Sequence, residues 1–224
     1  MSNIIYRVGI VDDDTTKITQ LITFLRLCCC DEYGNSINPK YAKYSFEPIS
    51  VNIESTDDNM IDSLLNHHLD AVIIDYKLAS QKSISYSGVT LAKALAEKLY
   101  NFPIFVLTSY QDDLFTRELF DSYLVFDFYR YVNDDAERLE LNSKIIEQII
   151  KYRTEKEDWK RELLNLISQA GSSVEIDERI LELDSRLEKS VDGKSSLSEK
   201  LKRELTSDRV QLLIDRIDRI IESE

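Results

Sequence analysis

The sequence contains few residues that break or cross-link a chain. It has only 5 glycines, 3 prolines and 3 cysteines among 224 residues. The cysteines are consecutive, at Cys28, Cys29 and Cys30, and this arrangement excludes a disulfide framework. Three adjacent positions on a helix also cannot all face one metal ion. We therefore interpret the cysteines as packing residues at the end of a helix.

Long apolar runs and a surplus of basic residues are also missing. No run approaches the ~20 apolar residues of a membrane span, and no basic leader precedes a signal-like stretch, so we expect a cytoplasmic protein with no membrane partner. The net charge is −13, with 11 Lys and Arg against 20 Asp and Glu up to Ala136, and 17 against 21 after it. Because neither part offers a basic surface for phosphate backbones, we expect no nucleic-acid binding.

Apolar strands and amphipathic helices alternate through the first part of the chain. This alternation predicts an α/β fold with a doubly wound, five-stranded parallel sheet over residues 1–136. The predicted strands cover residues 4–11, 49–55, 71–75, 102–109 and 125–132. The predicted helices lie near residues 18–25, 57–69, 89–99 and 113–124, and a fifth begins near Asp134.

The rest of the chain, residues 137–224, predicts an all-α domain. A break falls at "AGSS" (170–173), and Ile176, Ile180, Leu183 and Leu187 then follow a helical spacing. Further helices are predicted over 197–205 and 208–221. This region has no short basic recognition helix of the kind that reads DNA. Two interpretations stay open, namely that it completes or homodimerises the fold, or that it recruits a downstream protein partner.

Three of the predicted strands end in polar residues. The first runs into "DDD", the third ends in Asp75, and the fourth ends in Thr108 and Ser109. Because chemistry in such sheets gathers at the carboxyl ends of the strands, we expect Asp12, Asp13, Asp75 and Thr108 to converge. A divalent cation relieves the repulsion of three carboxylates, and hard oxygen ligands favour Mg²⁺. One carboxylate then attacks a phosphoryl donor.

Four motifs in this order resemble the receiver domain of two-component response regulators, over roughly residues 4–150. They are "VGIVDDD", "DAVIIDYKL", "YSGVTLA" and "PIFVLTSY". The residues that carry the resemblance are the acidic pair Asp12 and Asp13, Asp75 with Leu78, Gly88, and Thr108. The resemblance implies a flavodoxin-like fold and a response regulator rather than an enzyme, apart from its own phosphorylation and dephosphorylation.

The resemblance also implies a role for each site residue. Asp75 is the phosphoacceptor, and Mg²⁺ binds Asp12, Asp13, Asp75 and the backbone carbonyl of Lys77. Thr108 is the switch hydroxyl that contacts the phosphate. The phosphoryl group comes from a histidine kinase or a phosphotransfer protein, and the helical tail passes the signal to a protein rather than to DNA.

The sequence departs from the receiver pattern after the fifth predicted strand. The family has a phosphate-contacting lysine there, whereas this chain reads "FDFYRYVNDD". Strand alternation predicts that Tyr131 occupies the lysine's place, with Arg130 beside it. Either these residues serve the switch, or the domain accepts phosphate without transmitting much. A degenerate receiver that binds partners independently of phosphorylation is a third possibility.

The opening aspartates also allow a haloacid-dehalogenase-like phosphohydrolase. Its DxDxT motif matches Asp12, Asp14 and Thr16, and Asp12 would be the nucleophile. Thr108 or Ser109 would be its second motif and "VNDD" its acidic fourth motif, but the lysine expected between those two is missing. That interpretation also leaves Asp75 at the end of its own buried strand unexplained. We therefore favour the receiver.

Overall fold

A computed structural model describes residues 3–31, 33–78, 84–109 and 125–191. The helix predicted over 113–124 and the two helices predicted beyond 191 lie outside these ranges. Within them, no helix has both the length and the apolar content that a bilayer span requires.

The described residues form a five-stranded sheet with helices on both faces, followed by two long helices. All strand pairs are parallel, and the strand order is β2-β1-β3-β4-β5. This is the doubly wound, flavodoxin-like order, so the predicted fold class is confirmed. The strands are β1 (Ile4–Val11), β2 (Tyr44–Ser50), β3 (Ala71–Asp75), β4 (Ile104–Thr108) and β5 (Val125–Asp127). The helices are α1 (Thr15–Leu27), α2 (Asp57–Asn66), α3 (Gly88–Lys98), α4 (Phe128–Asn133), α5 (Asp135–Ile167) and α6 (Val174–Val191), with a short 3-10 helix at Pro39–Tyr41.

The strand register aligns the carboxyl ends of the three central strands. Val11, the last residue of β1, pairs with Ile74, and Asp75 pairs with Leu107 of β4. The residue after β1 is therefore level with the last residue of β3. This alignment is what brings polar residues from separate parts of the sequence to one edge of the sheet.

Two apolar clusters cover the two faces of the sheet. Within β3, Ile73 belongs to the cluster that contains Leu21 and Leu25 of α1. Its neighbours Val72 and Ile74 belong to the cluster that contains α2 and α3. Because successive side chains of a strand point to opposite faces, a strand buried on both sides must be apolar throughout. The unbroken run "AVIID" meets that requirement.

Two predicted strands were misplaced. The strand predicted over 49–55 is β2, which begins at Tyr44 because its residues pair with Ile4 through Ile10 of β1. The strand predicted over 125–132 ends at Asp127. The Asp127 carboxylate accepts the backbone N–H of Arg130 at 3.0 Å and so caps α4, which begins at the next residue.

The chain divides into two compact units, Met1–Thr154 and Glu155–Glu224. In the first unit, Leu141, Ile145 and Ile149 of α5 belong to the apolar cluster on the α1 face of the sheet. The sequence pattern predicts a boundary between two domains after residue 136. That boundary stays a prediction.

The second unit has its own internal contacts. Arg179 of α6 forms ion pairs with Glu162 of α5 and with Glu182. The guanidinium of Arg186 lies 5.8 Å from the ring centre of Trp159. The break predicted at 170–173 is confirmed, since α5 ends at Ile167 and α6 begins at Val174.

Candidate functional site

The structure brings three predicted site residues together at the carboxyl edge of the sheet. Asp12 and Asp13 follow β1, and Asp75 ends β3. Each offers a carboxylate oxygen, and these oxygens all lie within 4.8 Å of one another. The residues are only 5%, 8% and 4% exposed, respectively. We call these three residues the acidic cluster.

Backbone N–H groups fix two carboxylates of the acidic cluster. The Asp12 Oδ1 accepts the N–H of Asp14 at 2.8 Å, and the Asp75 Oδ2 accepts the N–H of Lys77 at 3.0 Å. In both cases the donor lies two residues further along, the arrangement of an Asx turn. The peptide that follows Asp75 is therefore folded back toward its carboxylate. The role of the Lys77 carbonyl as a metal ligand stays a prediction.

Asp14 has a different task from its two neighbours. Its carboxylate accepts the N–H groups of Thr16 at 2.7 Å and Lys17 at 3.4 Å, which makes it the N-cap of α1. The phosphohydrolase interpretation counts Asp14 as the second aspartate of the DxDxT motif. In the structure, its carboxylate is engaged in starting the helix.

Lys17 is a member of the site that sequence reasoning missed. Its Nζ lies 2.9 Å from the Asp75 Oδ1, and its side chain is 20% exposed. The Nζ also lies 5.5 Å from the ring centre of Phe128. The sequence offered one signal, since Lys17 falls in the first turn of a helix that begins directly behind the aspartates. Helix phase relative to the sheet decides whether such a residue reaches the cluster, and the sequence does not specify it.

Burial and mutual repulsion destabilise the charged forms of the carboxylates in the acidic cluster. Burial, followed by the charge of Asp75, raises the pKa of Asp12 to about 7, although the Asp14 N–H and Lys17 oppose the rise. Burial also raises the pKa of Asp75, against the hydrogen bond from Lys17. Burial by itself would lower the pKa of Lys17, but the bond and charge of Asp75 leave that pKa raised.

The donor set of the acidic cluster suits a hard divalent cation. It consists of oxygen atoms only, and the ammonium of Lys17 lies within hydrogen-bonding distance of Asp75. Mg²⁺ binds through one or a few carboxylates and keeps several waters or phosphate oxygens. The residues present therefore fit Mg²⁺.

Gly88 allows α3 to begin against the end of β3. A Cβ at this position would lie 1.9 Å from the carbonyl oxygen of Asp75, which is backbone and cannot move aside. The Gly88 N–H donates to the carbonyl of Tyr76 at 3.1 Å. Ser87 and Thr90 form a capping box that fixes the helix start. The glycine is therefore required by the close approach of α3 to the turn after Asp75.

Thr108 is the last residue of β4 and is buried. It pairs with Asp127 of β5, while its predecessor Leu107 pairs with Asp75. Thr108 is thus one position beyond the level of Asp75 on the neighbouring strand. Its role as the phosphate-contacting hydroxyl stays a prediction.

The hydroxyl of Tyr131 is hydrogen-bonded near the C-terminal end of α1, whereas Lys17 lies at the N-terminal end. The Tyr131 hydroxyl donates to the Asn142 Oδ1 at 3.1 Å, and the Asn142 amide donates to the carbonyl of Cys28. Cys28 caps the C-terminus of α1, 11 residues after Lys17, which corresponds to about 16 Å along the helix. The strand alternation from which Tyr131 was predicted to lie at the phosphate does not apply, because residues 128–133 form a helix rather than a strand.

Arg130 is also directed elsewhere. It is exposed, and its guanidinium forms an ion pair with Glu137 at the start of α5. The structure therefore brings neither Tyr131 nor Arg130 together with the three aspartates.

The cysteines pack as the sequence predicts. Cys28 and Cys29 are buried in the apolar cluster on the α1 face, and all three thiols are free. The Cys29 Sγ lies 3.7 Å from the Ser143 hydroxyl of α5.

The solved structures that resemble this chain include two distant ones. The chain is 13% identical to the anti-anti-sigma factor PhyR from Bartonella quintana, with a TM-score of 0.43, over 70% of this chain and 51% of that chain. It is 16% identical to a fusion that carries the trimeric coiled coil of yeast Spc42, with a TM-score of 0.41, over 82% of this chain and 96% of that one. The chain thus matches about half the length of the PhyR structure. The sequence matches no protein-family model and no curated protein.

Because both TM-scores are below 0.5, the assignment of the fold rests on the sheet itself. Its strand order is that of the flavodoxin-like folds, and its carboxyl edge carries a buried cluster of three aspartates. Together these features describe a flavodoxin-like sheet with the acidic cluster at its carboxyl edge.

Proposed function

We propose that this chain is a receiver-like phosphoacceptor of a two-component phosphorelay, with Asp75 as the residue that takes the phosphoryl group. One observation carries the proposal. Three buried carboxylates from the carboxyl ends of β1 and β3 meet within 4.8 Å at one edge of a flavodoxin-like sheet. Burial of three like charges is unfavourable unless a cation offsets them. Clusters of this kind are therefore typical of metal-binding and catalytic sites.

Mg²⁺ would be held by Asp12, Asp13 and Asp75, together with the backbone carbonyl of Lys77. When bound, the ion offsets the charge of the carboxylates and of the incoming phosphoryl oxygens. The chain itself presents Asp75 in a fixed orientation, because the carboxylate accepts the N–H of Lys77 and the ammonium of Lys17.

The transfer itself is a displacement at phosphorus. A lone pair on an Asp75 carboxylate oxygen forms the new P–O bond, and the P–N bond of a phosphohistidine in the partner kinase breaks. The electron pair of that bond stays on the imidazole nitrogen, and the product on this chain is an acyl phosphate. Thr108 would then donate a hydrogen bond from its hydroxyl to a phosphoryl oxygen. The resulting shift would reach a downstream protein partner, with the C-terminal helices as the contact surface or as a homodimer interface.

A second candidate is a degenerate receiver that binds its partner regardless of phosphorylation. One observation favours it: the residue that follows β5 is Phe128 rather than a cation. An Asp75→Asn variant separates the two, because a pure binding module keeps its partner and its biological effect in that variant.

Intact-mass measurement tests the proposal. The protein is incubated with Mg²⁺ and acetyl phosphate or phosphoramidate, and we expect the mass to increase by one phosphoryl group. Asp75→Asn should abolish the gain. Asp14→Asn is a matched control, because asparagine caps helices about as well as aspartate and the acidic cluster stays complete.

Two outcomes would contradict the proposal. One is a wild-type protein that gains no phosphoryl group with either donor or with a set of histidine kinases. The other is Mg²⁺-dependent turnover of a generic phosphate ester that Asp12→Asn abolishes and Asp75→Asn tolerates, which would indicate the phosphohydrolase.

A further inference from the structure

We propose that Lys17, supplied by the first turn of α1, is the cation that binds the phosphoryl group on Asp75. The inference rests on the proposed function and adds a residue that neither the resemblance nor the motifs indicated. It also replaces the expectation that Tyr131 and Arg130 serve this purpose.

The first observation is the direct contact of Lys17 with the phosphoacceptor. Its Nζ lies 2.9 Å from the Asp75 Oδ1, and the side chain is 20% exposed, so its ammonium lies against the buried cluster rather than in open solvent. The backbone position of Lys17 is also fixed by the N-cap of α1. Asp14 accepts the N–H groups of Thr16 and Lys17, so the first turn of α1 has one orientation at the end of β1.

The second observation concerns the end of β5. Asp127 caps α4, and the next residue, Phe128, is 9% exposed with its ring centre 5.5 Å from the Lys17 Nζ. The position directly after β5 therefore presents an aromatic ring toward the ammonium. An ammonium near the face of an aromatic ring is attracted to it, and the ring also shields it from water. The chain thus combines a cation from α1 with a ring from the start of α4.

The chemistry of the transfer gives Lys17 its role. The Asp75 carboxylate loses its negative charge when one oxygen forms the P–O bond, and the phosphoryl oxygens carry the charge instead. An ammonium has three donors and no acceptor, so it can exchange its bond to the carboxylate for a bond to a phosphoryl oxygen. Asp12 and Asp13 remain available for Mg²⁺. No proton has to move in this exchange.

Binding of beryllofluoride with Mg²⁺ tests this inference, because BeF₃⁻ attaches to an aspartate oxygen and mimics the phosphoryl group. We would measure its affinity by ¹⁹F NMR titration on the full chain. Lys17→Gln loses a charge-assisted hydrogen bond, so its affinity for BeF₃⁻ should be weaker by about tenfold or more. Lys17→Arg keeps the charge and should lose less. Lys93→Gln is the matched control, because it removes one exposed lysine from α3, and it should leave the affinity within about twofold.

Each outcome decides the inference. If the wild type binds BeF₃⁻ and Lys17→Gln binds equally well, or if only Arg130→Gln weakens binding, Lys17 does not bind the phosphoryl group and the proposed function stands. If the wild type neither binds BeF₃⁻ nor gains a phosphoryl group, the proposed function fails and this inference fails with it. Circular dichroism establishes that each variant is folded. If Lys17→Gln is not folded, Lys17→Arg decides, because a fluorine bound to Lys17 must shift its resonance in that variant and an unshifted spectrum overturns the inference.

Discussion

The two ends of α1 were both candidates for function, and they differ in how their polar groups are satisfied. At the N-terminal end, three buried carboxylates face the ammonium of Lys17. At the C-terminal end, the hydroxyl of Tyr131 donates to Asn142, and Asn142 donates to the carbonyl of Cys28. The hydrogen bonds of this second set join neutral groups, and Tyr131 and Cys28 belong to an apolar cluster. An unusual residue in a motif can therefore be structural, whereas buried carboxylates with too few cationic partners are the better guide to a site.

The largest effect is expected from Gly88→Ala, which disturbs the packing beside the acidic cluster without changing its charge. The added Cβ would lie 1.9 Å from the Asp75 carbonyl oxygen, so α3 or the end of β3 must shift. We expect a loss of about 3 kcal/mol or more in the free energy of unfolding, measured by urea denaturation. Gly9→Ala is the control. Its Cβ would meet the side-chain end of Leu69 at 2.4 Å, so we expect a smaller loss. Equal losses for the two variants would contradict the packing described for α3.

The next effect is the pH dependence of the acidic end without Mg²⁺. In the folded protein the pKa of Asp12 is raised to about 7, so this carboxyl group holds a proton below that pH. In the unfolded chain the same group has its ordinary pKa of about 4 and has lost the proton above it. The folded state therefore binds more protons between pH 4 and 7, and the free energy of unfolding falls as the pH rises through this window. From pH 5.5 to 7.5 we expect a decrease of about 2 kcal/mol.

Asp12→Asn should remove most of that slope, whereas Asp14→Asn should keep it. Mg²⁺ competes with the proton, so saturating Mg²⁺ should reverse the wild-type trend. Thermal unfolding at several pH values measures all three. A slope that Asp12→Asn leaves unchanged would show that Asp12 does not titrate in this window.

A smaller effect is expected at the other end of α1. Tyr131→Phe removes the hydroxyl that donates to the buried Asn142, so the stability should fall by about 1–2 kcal/mol. Loading of a phosphoryl group from acetyl phosphate should stay within about twofold of the wild type, because the hydroxyl bonds near the far end of α1. Parallel urea denaturation and intact-mass time courses measure the two quantities. If the Tyr131→Phe variant is stable but gains much less phosphoryl group than the wild type, the Tyr131 hydroxyl does take part in the phosphoryl site.

The buried strands were predictable because each one has to satisfy a strong local requirement. "AVIID" is apolar at consecutive positions, and β3 occupies that stretch because both faces of the sheet are covered. The aspartates at its end and after β1 were predictable for the same reason, since parallel strands bring their carboxyl ends to one edge. Their positions at the carboxyl ends of predicted parallel strands were enough to predict that Asp12, Asp13 and Asp75 converge, whereas the predicted contact of Thr108 with the phosphate stays a prediction.

The remaining features depend on contacts that the sequence does not display. The aromatic run 125–132 has the composition of a strand, but the Asp127 side chain caps a helix after three strand residues. That cap moved Tyr131 away from the predicted place. The contribution of Lys17 depends on the rotation of α1 relative to β3, which packing determines.

The central claim is that Asp75 itself receives the phosphoryl group, and chemical trapping of the acyl phosphate tests it most directly. After incubation with Mg²⁺ and acetyl phosphate, borohydride reduces an acyl phosphate to the corresponding alcohol, which converts the modified aspartate to homoserine. Peptide mapping by tandem mass spectrometry then locates the converted residue. We predict homoserine at position 75 and nowhere else. Homoserine at position 12, or an unmodified peptide despite a gain in intact mass, would contradict the account.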